Sequence, residues 1–181
     1  MIGIDTGNTA WVLLCATLVF FMTPGLALFY GGMARSKNVL GTIMQSFFLI
    51  GIISVEFILI GYTMIFSNDI GGMMGGLDKL GLVGTAQEVL DATNIPEMAF
   101  VTFQCMFAVL TPAIISGSVT GRMRFAPFVV FSVLWAILIY NPMAHWVWGG
   151  GFLAELGALD FAGGLVIHVL SGVSGLTLCI L

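Results

Sequence analysis

Few side chains in this sequence can do chemistry, and those few sit at intervals along hydrophobic runs. His168 lies in "DFAGGLVIH", downstream of Asp160 and of Trp148 in "HWVWGGG". An imidazole has a reference pKa near ~6.5 and can donate, accept or relay a proton at ordinary pH. The face of Trp148 attracts a cation, and so do the rings of Phe103 and Phe107, which stand one helical turn apart. Asp160 precedes "FAGG" and most simply caps the helix that follows, accepting backbone N–H groups. No nucleophile–base pair, metal set or cofactor fingerprint is visible, so neither an enzyme nor a cofactor is expected. "GGMMGG" at 71–76 lacks the lysine and strand-to-helix context of a phosphate loop and reads as a flexible loop. Cys15, Cys105 and Cys179 have no disulfide or metal spacing and read as small buried hydrophobes.

The elements that must position these groups follow from the solvent. Hydrophobic residues make up 59% of the chain and charged residues 8%, too few charges to cover a water-soluble domain. In lipid every backbone group must be satisfied within a helix or a closed barrel, and the apolar runs are continuous, without the period-two alternation of barrel strands. The expected fold is an all-α polytopic bundle of about five spans, near 9–31, 40–66, 98–121, 125–148 and 162–181. Pro24-Gly25 predicts a kink in the first. That span has no basic region before it and starts beside Asp5, so a cleaved signal peptide is not expected. Four of the five basic residues, Arg35, Lys37, Arg122 and Arg124, flank one side, which the positive-inside rule makes cytoplasmic. The N-terminus is therefore expected outside, in a multi-pass cell-membrane protein, and nothing points to nucleic acid.

Depth then places the chemistry. Phe103 and Phe107 lie about 8 and 14 Å below the outer end of the third span, and His168 about 9 Å below the start of the fifth. Trp148 arrives at the outer mouth from the fourth. Other readings stay open. Trp146 and Trp148 can belong to an interfacial aromatic belt. Phe103 and Phe107 can face lipid, and His145 sits at an outer helix end where it can reach water. An ionisable residue inside a span is a functional hypothesis by default, although a bond to a neighbouring helix also accounts for His168. Glu56, deep in the second span, is expected to be protonated or hydrogen-bonded to a neighbour. Gly117 with Gly121, and Ser171, Gly172, Ser174 and Gly175, read as close-packing faces. "TAQEVLDA" at 85–92 is expected to make a short surface helix.

"DTGNTAW" at 5–11, "MTPGLALFYGGMARSKNVL" at 22–40, "HWVWGGG" at 145–151 and "GALDFAGGLVIH" at 157–168 resemble the ammonium transporter superfamily, which includes methylammonium permeases and Rhesus proteins. The likeness is nearer to the microbial ammonium transporters, because Trp148 follows "HWV". It implies an eleven-helix fold in a homotrimer, one pore per subunit, with this chain as the first five-helix repeat and the second repeat absent from it. It also implies that Trp148, Phe103 and Phe107 form the outer cation-recruitment site, with Phe107 the lower, gating ring. By the same resemblance His168 is the first of two pore histidines, Asp160 shapes the vestibule backbone, and the Ala162 carbonyl faces the entering cation. A second gating phenylalanine, a vestibule serine and the second histidine belong to the other half. The family often has an acid where this chain has Gly121. The implied partners are ammonium or methylammonium, the bilayer, and a cytosolic regulatory protein.

The implied function is ammonium transport. Cation–π attraction recruits ammonium, the proton is shed, and ammonia passes an apolar pore past His168, with or without a separately relayed proton. The rivals are an ammonium sensor or binding protein with the same site, and a neutral-gas channel for ammonia or carbon dioxide, for which Trp148 would be superfluous.

Overall fold

The structure, a computed structural model, describes residues 3–181. Helix α1 (Thr6–Met33) starts where Asp5 Oδ1 accepts the Asn8 N–H at 2.9 Å, satisfying one of the donors that a helix start leaves free. The Asn8 amide donates to Thr93 O at 3.0 Å, which ties this start to the far end of the long segment 67–96. Pro24 lies inside α1, which continues through it as one helix.

The second span joins α2 (Val39–Glu56) to α3 (Tyr62–Phe66) through a π turn at Phe57–Gly61. Two small hairpins follow, β1 (Asp69–Ile70) with β2 (Met74–Gly75) and β3 (Val89–Leu90) with β4 (Ile95–Pro96). The third span is α4 (Glu97–Ser116). The fourth runs from α5 (Phe125–Trp135) through a π turn at Ala136–Tyr140 into α6 (Asn141–Trp148), and the short α7 (Phe152–Glu155) follows. A π turn at Gly164–Val169 leads into α8 (Leu170–Ile180). Among the described residues four helices, Thr6–Met33, Ser36–Phe66, Glu97–Val119 and Phe125–Glu155, are long and apolar enough to cross a membrane, and Gly164–Ile180 is a shorter apolar one. The protein is an all-α membrane bundle.

The two π turns in the second and fourth spans touch, and the residues beside them explain how. Asn141, just after one turn, donates from Nδ2 to Oε1 of Glu56, just before the other, at 2.8 Å. Both side chains are buried. A Cβ at Gly61 would stand 3.3 Å from Glu56 Oε1 and from Asn141 Oδ1, so the missing side chain leaves room for the pair. Glu56 is thus hydrogen-bonded to a neighbouring helix, a bond worth about 0.6–2 kcal/mol in membrane proteins.

Several small residues do other work than expected. Gly117 does pack closely, since a Cβ there would meet the Tyr30 ring at 2.7 Å. Gly121 does not share that helix face: its φ of +72° puts it in the turn before α5, where a side chain is strained. Gly175 faces Ser118, and Ser174 accepts from Trp135 Nε1 at 3.0 Å, but Gly172 has no neighbour near its Cβ position and lies on an open face. Cys105 is buried, Cys15 is half-buried and Cys179 is exposed at the end of α8, which corrects the expectation for the last.

The segment 67–96 is an organised cover and not a slack loop. Gly71 and Gly72 take φ of +67° and +75°, and a Cβ at Gly75 would lie 2.5 Å from Thr63 O. The glycine run therefore turns the chain and seats β2 against the backbone of α3. Residues 85–92 form a single 3-10 turn, Thr85–Gln87, and then strand β3, because Val89 and Leu90 pair with Pro96 and Ile95 instead of continuing a helix. The β1–β2 hairpin also covers His145. That imidazole is fully buried, with Nδ1 2.6 Å from Ile65 O and Nε2 2.9 Å from Asp69 Oδ1, so it does not reach water at a helix end. The His145 bond first, and the Gly72 N–H second, hold the Asp69 carboxyl below the usual aspartate range.

Candidate outer cation site

α4 carries Phe103 and Phe107 on one face, and their rings meet edge to face at 4.9 Å. α6 ends in Trp148, whose ring centroid lies 6.3 Å from that of Phe107. The indole is held in place by its own N–H, which donates to Asp160 O at 3.0 Å. Trp146 points elsewhere: its Nε1 donates to Met73 O at 2.7 Å and its ring packs on Phe152, so it closes the hairpin over the helix end.

Asp160 organises the turn from which the fifth helix starts. Its Oδ1 accepts the Gly164 N–H at 2.7 Å, and its Oδ2 accepts those of Leu165 and Val166 at 2.9 Å each. Three of the free donors of that helix start are thereby satisfied by one carboxylate. The cap reaches one residue into "FAGG" and two beyond it, because Gly163 takes φ of +79° and folds the helix start back over the carboxylate. A Cβ on Gly163 would also collide with the Ile167 side chain, so the turn requires glycine twice over.

These elements enclose a cavity of about 430 Å³. Phe103, Phe107, Trp148, Asp160 and Ala162 all line it. His168 does not. It is exposed lower on the same helix segment, beside Gly25, Leu26, Tyr30, Leu110 and Ile114, and its ring makes no hydrogen bond among the described residues. The structure therefore brings five of the six expected site residues to one cavity and leaves the sixth on an open apolar face.

Phe66, Phe100 and Gln104 also line the cavity, beyond the residues expected there. Phe100, Phe103 and Phe107 fall at i, i+3 and i+7, a helical stripe legible in the sequence. Phe66 comes from another span and has no local signal. Its ring meets that of Phe100 at 5.0 Å and so extends the aromatic wall. A wall of π faces beside fixed backbone dipoles suits a cation small enough to enter. The described residues contain no cluster of His, Cys, Asp and Glu fit for a metal ion.

Comparison with known proteins gives one consistent result. Residues 10–181 match the model of the family described as Ammonium Transporter Family. The chain is 55% identical over 175 residues to an ammonium transporter of Bacillus subtilis, covering 96% of this chain and 43% of that protein. It is 47% identical to an ammonium transporter of Aquifex aeolicus, covering 96% of this chain and 41% of the other. The crystal structure of Candida albicans Mep2 superposes with a TM-score of 0.88 at 32% identity, over 96% of this chain and 38% of that one. A structure called Sensor Amt Protein superposes with a TM-score of 0.84 at 29% identity, over 91% of this chain and 41% of that one. The chain thus spans about two-fifths of the length of these proteins.

Proposed function

The chain belongs to the ammonium transporter family, and we infer that it contributes the outer, cation-recruiting half of an ammonium-conducting pore. One observation carries this reading: Trp148, Phe103 and Phe107, from two helices, line one cavity at the mouth, with Asp160 and Ala162 on its rim.

Ammonium and K⁺ carry the same charge and are similar in size, so a charged filter alone passes both. Each aromatic face in contact with a cation contributes ~0.5–2 kcal/mol of attraction, rising with desolvation. Ammonium differs from K⁺ in having N–H donors, which the carbonyl of Ala162 on the rim can accept. Below Phe107 the path becomes apolar, where a bare ion loses its hydration at a cost of several kcal/mol or more. Ammonium escapes that penalty by giving its proton to water in the vestibule and going on as ammonia, and K⁺ has none to give. His168, lower on the same helix, then serves as hydrogen-bond partner to ammonia or as a proton relay.

The proposed orientation has the N-terminus outside, because Arg35, Lys37, Arg122 and Arg124 gather at the opposite end from the mouth. A homotrimer in the cell membrane is part of the same reading. A sensor is the second reading, favoured by the likeness to the Sensor Amt Protein. Both use the same recruitment site and differ in whether flux follows.

The test uses the full-length protein in liposomes. An ammonium gradient should drive methylammonium-competable flux while an equal K⁺ gradient drives none. Saturable binding without flux would turn the reading to a sensor, and equal passage of K⁺ would sink the recruitment site altogether.

A further inference from the structure

Phe100, Phe103 and Phe107 share their face of α4 with one polar residue. Gln104 stands four residues after Phe100 and three before Phe107, which puts it in the same helical stripe. It is half-buried and lines the mouth cavity with all three rings. The hydrogen-bonding side chains around it on α4 are all taken: Thr102 Oγ1 donates to Met98 O at 2.8 Å, Cys105 Sγ to Ser54 Oγ at 3.5 Å, and Thr111 Oγ1 to Phe107 O at 2.6 Å. The Gln104 amide makes no hydrogen bond among the described residues. An amide set among aromatic rings costs free energy unless something bonds to it.

The other polar side chains of the cavity are committed. The Asp160 carboxylate accepts three backbone N–H groups, and the Trp148 N–H donates to Asp160 O. The remaining lining side chains are hydrocarbon. Of the side chains there that can hydrogen-bond, Gln104 alone makes no bond to the described residues. Its amide carries a carbonyl oxygen with two lone pairs. Aromatic faces attract any small cation through its charge, whereas an amide oxygen accepts an N–H along preferred directions. K⁺ needs a ring of oxygens to replace its hydration shell, and a single amide on an aromatic wall does not supply one. An ammonium ion can direct one N–H at the amide and set others against the π faces.

We propose that Gln104 is a specificity-determining residue of the mouth, whose amide oxygen accepts an N–H of the entering ammonium or methylammonium ion beside the aromatic rings. The proposal rests on the reading of the mouth as an ammonium port, and deepens it. The rings supply attraction for a cation, and the amide supplies the preference for one that carries N–H donors.

In the full-length protein in liposomes, methylammonium uptake is measured against concentration, with and without competing K⁺, for the parent, Gln104→Met and Gln104→Glu. Gln104→Met keeps the length of the side chain and removes its hydrogen bonding. It should raise the half-saturating concentration several-fold at an unchanged maximal rate. Gln104→Glu keeps an acceptor and adds a charge, which attracts both ions whatever their donors. It should lower the half-saturating concentration and let K⁺ compete. An amide that merely packs would not give opposite shifts. Parental concentration dependence in Gln104→Met, or shifts in the same direction for both variants, would overturn the proposal, and Gln104→Met decides alone if Gln104→Glu does not fold. Trp148→Leu is run alongside. A shift there with none at Gln104→Met sinks the role of the amide and leaves the mouth standing, whereas no shift at either sinks both.

Discussion

Asp160 and His168 lie two turns apart on one segment, and their surroundings are opposite. The backbone and carboxylate of Asp160 accept from Trp148, Gly164, Leu165 and Val166, all within this chain. The imidazole of His168 has no hydrogen bond among the described residues and shares an open face with Val169, Val173 and Leu176, each more than half exposed. The mouth is organised by contacts that this chain supplies to itself, whereas the setting of the histidine is not. Fold and function should therefore separate along the segment: substitution at the mouth costs structure first, and substitution at His168 costs transport alone.

The comparison is tested hardest at Asp160. Hydrogen bonds to a charged group contribute about 1.5–3 kcal/mol each, so Asp160→Ala, which loses three, should destabilise the protein by about 4.5 kcal/mol or more. Uptake should be abolished, and hydrogen exchange should show Gly164, Leu165 and Val166 losing protection. Unchanged exchange at those amides would mean that the carboxylate does not hold the turn.

The two histidines come next, in opposite roles. His145 is buried and bonded at both nitrogens, so His145→Ala removes two bonds and leaves a cavity, for about 2–4 kcal/mol of lost stability. His168→Ala removes no side-chain hydrogen bond within the described residues, so it should destabilise the protein far less than His145→Ala, while methylammonium uptake falls steeply. Thermal unfolding and uptake of both variants separate the two roles. Equal destabilisation, or normal uptake by His168→Ala, would erase the distinction.

The smallest effect belongs to Asp69, and it depends on pH. A carboxylate whose folded pKa is depressed stabilises the fold above its unfolded value, near ~3.9, and loses that contribution as pH falls through the depressed value. Docking of the β1–β2 hairpin should thus be intact at neutral pH and weaken only on the acid side. Trp146, bonded to Met73 O in that hairpin, reports it by fluorescence. Asp69→Asn should remove the acid-side step, and a step that survives in this variant would assign it to another group.

The features legible in the sequence are those governed by local periodicity. Helix rise and the positive-inside rule lead to the expectation of Phe103, Phe107 and Trp148 in one half of the bilayer, and the cap at Asp160 follows from its place before a helix. What escapes depends on distant chain. His145 reads as a residue of the wet interface because its partners, Ile65 and Asp69, lie far upstream and reach it only after the hairpin folds back. The glycine run at 71–76 reads as slack because positive φ and a backbone approach at Gly75 leave no mark on composition. Gly121 misleads for the same reason, since GxxxG spacing does not reveal that the helix has already ended. The ion pair of Lys79 with the buried Glu97, 2.6 Å long, gives no signal because a pair formed across a loop has no periodic signature.

Trp148→Leu in the full-length protein tests the recruiting mouth most directly, read as the concentration dependence of methylammonium uptake with K⁺ as competitor. Loss of one cation–π partner worth ~0.5–2 kcal/mol should raise the half-saturating concentration about 2- to 30-fold and weaken discrimination against K⁺. An unchanged half-saturating concentration with K⁺ still rejected would contradict the assignment and leave Trp148 an interfacial anchor.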